Sequence, residues 1–251
     1  MKKNLRYWAI GFILAFTVLL VATFTSVNWI KIRKSNQSKI PSESVQGAVS
    51  TVSVTPGANP SVEVNRNLDN VSAEDNVNRY LSRQDEIMTD MMQAMKNIPK
   101  SGNASIDFLN GMVLHHESAI LMSEAYLSYG SSDDKLKGMA EHIIPAQQAE
   151  ITRMQDLADK YGSEGHNNED KESAYLEDYH GFLNRGQKMD KSNASSLGHA
   201  FADGMIKHHQ MAVEMAKSIL EYTDYEEIRT LAQNIITVQE QEINEMRDFT
   251  Q

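Results

Sequence analysis

The chain contains one stretch of sequence twice, and this repeat decides the fold. Residues 105–129 read SIDFLNGMVLHHESAILMSEAYLSY, and residues 198–222 read GHAFADGMIKHHQMAVEMAKSILEY. Nine of the 25 aligned positions are identical, including both histidines of each pair. The segments that follow also match each other: seven of 19 positions are identical between 136–154 and 228–246. The repeated unit therefore has two consecutive parts, and it occurs at about 104–161 and again at about 195–250.

Apolar residues in both parts recur at helical spacing, and no window alternates as a strand would. A single helical hairpin exposes an apolar stripe, which a second hairpin can cover. We therefore predict an all-α, ferritin-like four-helix bundle built from two repeated hairpins. Two further helices precede the units and are expected to cover the bundle. The predicted helices span about 74–97, 104–129, 133–161, 172–189, 195–222 and 224–249.

Three local signals refine this prediction. Pro145 lies inside the third predicted helix, where the missing backbone donor should kink or split the helix. Gly162 fits a stop at the end of that helix. Thr223 with Glu226 is predicted to cap the last helix.

The N-terminus carries a long uncharged segment. Tyr7 to Ile30 contains no charged residue, which at about 1.5 Å per residue can span a hydrocarbon core of roughly 30 Å. Basic residues flank both ends, and Trp8 and Trp29 lie where interfacial aromatic residues are expected. We predict an uncleaved membrane anchor at 1–34. The alternative is a cleaved signal peptide, whose apolar region would be only about 7–15 residues long.

The remainder divides into a stalk and a folded part. Residues 35–73 are rich in Ser, Asn, Val and Thr and contain three prolines, which predicts a flexible stalk. The helical bundle is predicted at 74–251, which holds 31 Asp and Glu against 16 Lys and Arg. We expect a single-pass protein of the cell membrane with this acidic part outside the cytoplasm. The oligomeric state is left open.

Composition excludes several classes of function. There is no cysteine, so disulfides, thiolate zinc sites and iron–sulfur clusters are excluded. A formal net charge of −10 argues against nucleic-acid binding. No phosphate-binding loop or nucleophile elbow is present, and no catalytic residue is predicted. By contrast, all eight histidines and 13 of the 14 methionines lie at or after residue 88.

The spacing of these residues places them together. At 100° per residue, Met112, His115, His116 and Met122 fall within one arc of about 120°. The second copy repeats the arc with Met205, His208, His209 and Met215. In the partner helices, Glu150 and Glu242 lie on the apolar stripe that should face this arc. A buried carboxylate is costly unless paired, so the histidine pairs are its expected partners.

Imidazole nitrogens and thioether sulfurs together favour a soft ion such as Cu(I) or Ag(I), while histidine alone or with carboxylate would suit Cu(II) or Zn(II). A copper ion is the predicted cofactor, with another transition metal as the alternative. A second methionine cluster lies on one face of the first predicted helix. The candidate ligands are His115, His116, Met112, Met122, His208, His209, Met205, Met215, Glu150, Glu242, Met88, Met91, Met92 and Met95.

Two alternatives remain beside a metal site. In the first, His and Glu satisfy each other as buried hydrogen-bonded pairs in a metal-free interaction bundle, and Met fills irregular gaps. The second is a carboxylate-bridged metal enzyme. That enzyme would need two inward Glu-x-x-His motifs, which are absent.

The segments FLNGMVLHHESAILM and FADGMIKHHQMAVEM, each followed by a helix with Gln-x-x-Glu-Ile, resemble the domain-of-unknown-function 305 family over about 104–250. The resemblance implies a ferritin-like helical bundle in a bacterial secreted or membrane-attached protein, with copper binding outside the cytoplasm in some members. Carried onto this chain, the motif matches Met112, His115, His116, Met122, Gln147, Glu150 and Met154, and again Met205, His208, His209, Met215, Gln239, Glu242 and Met246.

The two copies differ in two ways. Pro145 is expected to displace Gln147 and Glu150. Glu117 follows the first histidine pair where Gln210 follows the second, which predicts two sites of different charge and affinity. The sequence thus predicts a membrane-anchored protein that sequesters or delivers Cu(I). Its expected partners are the membrane and a metal transporter or metallochaperone.

Overall fold

The computed structural model describes residues 73–131, 133–186 and 194–250. The predicted anchor at 1–34 and the predicted stalk, apart from Ala73, lie outside these residues. None of the helices in the described ranges is both long and apolar enough to cross a membrane.

The described ranges form six α-helices and a short 3₁₀ turn, without a strand. The all-α prediction is confirmed. The helices are α1 (Ala73–Lys96), α2 (Ala104–Ser128), α3 (Asp134–Gly162), α4 (Glu169–Gly186), α5 (Leu197–Tyr222) and α6 (Glu226–Met246), with the 3₁₀ turn at Arg247–Phe249.

Short polar side chains cap the N-termini of three of these helices. Asn103, Asp133 and Ser196 each accept a hydrogen bond from a backbone N–H of the first turn, of α2, α3 and α5 respectively. The predicted cap at Thr223 is wrong. Tyr225 precedes α6 without a side-chain cap. The Thr223 hydroxyl instead accepts a hydrogen bond from Ser105, because the end of α5 meets the start of α2.

The two repeated hairpins are α2 with α3 and α5 with α6, and each pair packs extensively. The central contact joins α2 to α5, which run antiparallel. Ser105 lies 2.8 Å from Thr223 at one end of this contact. At the other end the rings of Tyr126 and Phe201 stack 4.3 Å apart. Residues that are equivalent in the two repeats therefore cross near the middle of the two helices.

Helices α1 and α4 cover the central pair, and a glycine in each repeat lets one of them approach closely. A Cβ atom at Gly111 of α2 would lie 2.9 Å from the ring of Tyr179 on α4. A Cβ atom at Gly204 of α5 would overlap with the side-chain amide of Gln84 on α1. The glycine preceding each Met-x-x-His-His is thus a packing position.

The buried apolar residues form two clusters, and the four methionines that flank the histidine pairs are divided between them. The first cluster contains Met112 of α2 and Met215 of α5. The second contains Met122 of α2 and Met205 of α5. Because α2 and α5 are antiparallel, each histidine pair lies between a methionine of one cluster and a methionine of the other.

Pro145 does not split its helix, because α3 is continuous from Asp134 to Gly162. Gln147 is buried, and Glu150 reaches its histidine at the same distance as its counterpart in the second repeat. The expected displacement of these two residues is therefore wrong.

Candidate metal centre

The two histidine pairs meet where α2 crosses α5. All four imidazoles are fully buried. The rings of His115 and His208 face each other with centroids 3.7 Å apart. The second ring of each pair lies next to the first. The ring centroids are 6.2 Å apart for His115 and His116, and 5.9 Å apart for His208 and His209. The four rings thus form one continuous row through the centre of the molecule.

The outer ring of each pair binds a carboxylate from the second helix of its own hairpin. Nε2 of His116 lies 2.8 Å from Oε2 of Glu150 on α3. Nε2 of His209 lies 2.8 Å from Oε2 of Glu242 on α6. The expected pairing of histidine with glutamate thus occurs at one histidine of each pair.

The inner rings have other partners. Nε2 of His115 donates to the backbone carbonyl of His208 at 3.0 Å. Nε2 of His208 lies 2.6 Å from the hydroxyl oxygen of Ser118. Ser118 also hydrogen-bonds to the carbonyl of His115 and to Sδ of Met91 on α1.

Ser118 is a residue of the centre that the sequence analysis missed. It aligns with Met211 of the second repeat, so it marks a point where the two copies differ within one turn of a histidine. That difference was the available signal. The hydrogen bond from Ser118 to Met91 links the first repeat to α1, and the second repeat has a methionine at the equivalent position.

The other ring nitrogen of each of these four histidines has no hydrogen-bond partner. Nδ1 of each of the four rings is buried without a hydrogen bond in the described structure. The amide of Gln239 and the amide oxygen of Gln147 are also buried and unpaired. Buried polar atoms are normally satisfied, so a layer with several unpaired nitrogens fits a bound ion. The four Nδ1 atoms are the donors that a soft transition metal would use.

Burial governs the charge of the inner pair. Burial, together with the positive charge that neighbouring rings would carry, lowers the pKa of His115 and of His208 well below the ordinary value. Both rings are therefore neutral at pH 7. A neutral imidazole keeps one lone pair, which is the form that binds a metal.

The candidate methionines lie on three helices, and most of them are buried. Met112, Met122, Met205 and Met215 are all fully buried. On α1, Met91, Met92 and Met95 are buried and Met88 is half-buried. Of these four, Met91 is linked to the histidine row, through its hydrogen bond with Ser118. The others pack in the apolar clusters.

Two further expectations can be compared with the structure. Glu117 and Gln210 are both exposed, so the predicted charge difference between the sites does not arise at these positions. Among the described residues, no three His, Asp or Glu side chains are arranged around one point to hold an ion.

Several known proteins are similar to parts of the chain. It is 48% identical over 49 residues to "Uncharacterized protein L153" of Acanthamoeba polyphaga mimivirus, a match that covers 20% of this chain and 32% of that protein. The match thus spans about a third of the length of that curated relative.

Similar solved structures include three forms of CopM. "CopM in the Cu(I)-bound form" is 26% identical with a TM-score of 0.43, covering 58% of this chain and 94% of CopM. "CopM in the Cu(II)-bound form" is 27% identical with a TM-score of 0.45, covering 58% and 95%. "CopM in the Ag-bound form (by soaking)" is 27% identical with a TM-score of 0.44, covering 58% and 93%.

A family match covers far more of the sequence. The family model described as "Domain of unknown function (DUF305)" matches residues 46–158 and 161–250, one segment for each repeat. These segments make up more than half of the 251 residues, and the chain belongs to this family.

Proposed function

We propose that this protein is a membrane-anchored, extracytoplasmic metal-binding protein that sequesters or delivers Cu(I) through histidine and methionine ligands. The observation that carries the proposal is the row of four buried imidazoles, each with an unpaired Nδ1. A structural core has no need for so many unpaired nitrogens, because each carries a desolvation cost of about 1–3 kcal/mol. A bound ion would offset that cost.

The donor chemistry selects the ion. Neutral imidazole with thioether favours soft, monovalent ions over hard divalent ones. Fully buried methionines flank each histidine pair along its own helix, Met112 and Met122 in α2 and Met205 and Met215 in α5. Cu(I) is the biological ion that fits this donor set, and Ag(I) is its chemical analogue.

The proposed location follows from the sequence. The uncharged segment Tyr7–Ile30 would anchor the chain, and residues 35–73 would hold the bundle away from the membrane. The excess of carboxylates in 74–251 would attract cations weakly. A membrane metal transporter or a metallochaperone is the proposed partner. Nucleic acid is not.

The second candidate is a metal-free interaction bundle. It is favoured by the two His–Glu contacts, which satisfy Nε2 of His116 and His209 without an ion. This candidate leaves all four Nδ1 atoms unpaired. Metal binding by the purified chain separates the two candidates.

The test is a Cu(I) competition titration of the full chain in mild detergent, under anaerobic conditions and against a chromogenic chelator. The variant His116→Gln/His209→Gln removes two ligands but retains an amide that can donate to Glu150 and Glu242. We expect its Cu(I) affinity to fall by about 100-fold or more, since even the loss of an orienting partner costs about 10- to 100-fold. The matched control is His166→Gln/His180→Gln, because both histidines are exposed.

A second variant tests the thioethers. Met112→Leu/Met205→Leu preserves buried volume, so the helical fold should persist while Cu(I) affinity falls. Far-UV circular dichroism confirms folding of each variant. No Cu(I) binding by the unaltered chain would favour the metal-free bundle. Unchanged binding by both variants would exclude these ligands and leave the cluster from Met88 to Met95.

A further inference from the structure

The hydrogen bonds of the four buried histidines all use the same ring nitrogen. Nε2 of His116 and of His209 faces a carboxylate, and Nε2 of His115 faces a backbone carbonyl. Carboxylate and carbonyl oxygens accept hydrogen bonds and do not donate. Nε2 of each of these three rings must therefore carry a hydrogen.

The fourth ring, His208, reaches the same state through Ser118. A hydroxyl has one hydrogen, and the Ser118 oxygen lies 2.6 Å from the carbonyl of His115, which can only accept. With its hydrogen used there or on Sδ of Met91, the oxygen is left to accept from Nε2–H of His208. The carbonyl of His115 also faces His208 as a second acceptor.

We infer that all four histidines bind metal through Nδ1, and that Glu150, Glu242 and Ser118 are positioning residues that hold each ring as the Nε2–H tautomer. The inference rests on the proposed function and deepens it, because it assigns the ligating atom of each ring and the residues that select it. A neutral imidazole with its hydrogen on Nε2 carries its lone pair on Nδ1. The Nδ1 atoms of these four rings are the ring nitrogens that are buried without a hydrogen-bond partner.

The two glutamates that face the histidine row also indicate the charge and the number of the ions that it binds. Among the described residues, the ion-pair partners of Glu150 and Glu242 are His116 and His209, and no Lys or Arg reaches either carboxylate. A ring that binds an ion through Nδ1 keeps a hydrogen on Nε2 alone and is uncharged, so in the metal-bound state each repeat contributes the one negative charge of its carboxylate. One monovalent ion per repeat neutralises it, whereas a divalent ion leaves an excess charge in a buried layer. We expect two Cu(I) or Ag(I) ions per chain.

The first experiment reads the tautomer directly. The full chain is labelled with ¹⁵N-histidine, purified metal-free in detergent and examined by long-range ¹H–¹⁵N correlation. We expect the four buried rings to show protonated Nε2 and unprotonated Nδ1. Titration with Ag(I) alone should then shift the four Nδ1 signals, with saturation at two equivalents. A hydrogen on Nδ1 in the metal-free chain, or ligation through Nε2, would overturn the inference.

The second experiment changes the positioning residues. In Glu150→Gln/Glu242→Gln, the amide can donate to Nε2, so we expect His116 and His209 to populate the Nδ1–H tautomer. Affinity for Ag(I) should fall by about 10- to 100-fold, as is typical for the loss of an orienting partner. The matched control is Glu240→Gln, an exposed residue of α6 paired with Lys217, which should change neither quantity.

The outcomes separate the inference from the proposed function. Silver binding through Nε2, or Gln variants with unchanged tautomers and affinity, would overturn the inference and leave the metal-binding function standing. Absence of silver binding by the unaltered chain would contradict the proposed function itself, whatever the tautomers.

Discussion

At the scale of single residues, the two repeated glycines differ in how much room their neighbours leave. At Gly111 the obstacle to a side chain is the ring of Tyr179, which is buried and whose hydroxyl donates to the backbone carbonyl of Met95. At Gly204 the obstacle is the end of the Gln84 side chain, which can turn about several bonds. Equivalent positions in the repeats should therefore respond unequally to substitution.

We predict that Gly111→Ala lowers the free energy of unfolding by about 1–3 kcal/mol, as overpacking of a core typically does. Gly204→Ala should cost less, because a gain of up to about 1 kcal/mol in helix propensity offsets the movement of Gln84. Gly138→Ala in α3 is the control, since a Cβ atom there meets nothing within 4 Å and the change should stabilise. Urea unfolding at constant pH measures all three. An equal cost at Gly111 and Gly138 would contradict this packing.

Sequence reasoning reached some residues of the centre and not others. The helical spacing of Met-x-x-His-His predicts buried rings, because these residues share one face of the helix and that face packs against the rest of the bundle. The partners of each ring depend on how α2 crosses α5, which spacing within one helix does not specify. Ser118 and the carbonyl of His208 belong to that crossing, so their roles could not be predicted from spacing. For Ser118, the sequence signal was its difference from Met211 in the second repeat. Glu150 and Glu242 could, because each lies in the hairpin of its own histidine.

At the scale of elements, a buried pair of carboxyl groups joins the start of α2 to α4. Asp107 accepts a hydrogen bond from the backbone N–H of Ser101, and Glu172 accepts one from that of Gly102. Both side chains are buried. Burial, with the carboxylate of Glu172 adding to it, raises the pKa of Asp107 to about 6 from 3.8.

This pKa predicts a pH dependence with a definite sign. The folded state holds the Asp107 proton more tightly than the unfolded state, so this group's contribution to stability falls as pH rises from about 4 to about 6 and is level above that. Asp107→Asn keeps the acceptor for Ser101 and removes the titration. We expect the variant to gain stability relative to the unaltered chain across this window.

The measurement is denaturant unfolding of both metal-free chains at several pH values, and the difference between them isolates Asp107. Asp156→Asn, at an exposed position of α3, serves as the control. A difference between Asp107→Asn and the unaltered chain that stays constant from pH 4 to pH 7 would show that Asp107 titrates normally in the folded protein.

The helices themselves were largely predictable, since their bounds agree with the sequence analysis to within a few residues. The exceptions have local causes. Helix α4 begins at Glu169, three residues early, because its first turn is built on Asn168, which accepts from the N–H groups of Lys171 and Glu172. Pro145 leaves α3 continuous, since a long helix packed along its length against α2 tolerates the loss of one hydrogen bond.

At the scale of the whole molecule, duplication explains how four buried imidazoles come to lie in one row. One hairpin supplies two imidazoles, a carboxylate and flanking thioethers. Antiparallel packing of α2 on α5 brings the second set against the first, so the inner rings lie 3.7 Å apart. Neither repeat alone would exclude water from its nitrogens. The ordered row is therefore a property of the pair of repeats.

The central claim is that this row binds a soft ion through histidine and methionine. Copper K-edge X-ray absorption of the full chain loaded with Cu(I) tests it most directly, because the first shell distinguishes nitrogen from sulfur and imidazole gives characteristic outer-shell scattering. The account predicts a low-coordinate Cu(I) shell containing both imidazole nitrogen and thioether sulfur. A shell of oxygen donors, or of sulfur without imidazole, would contradict it.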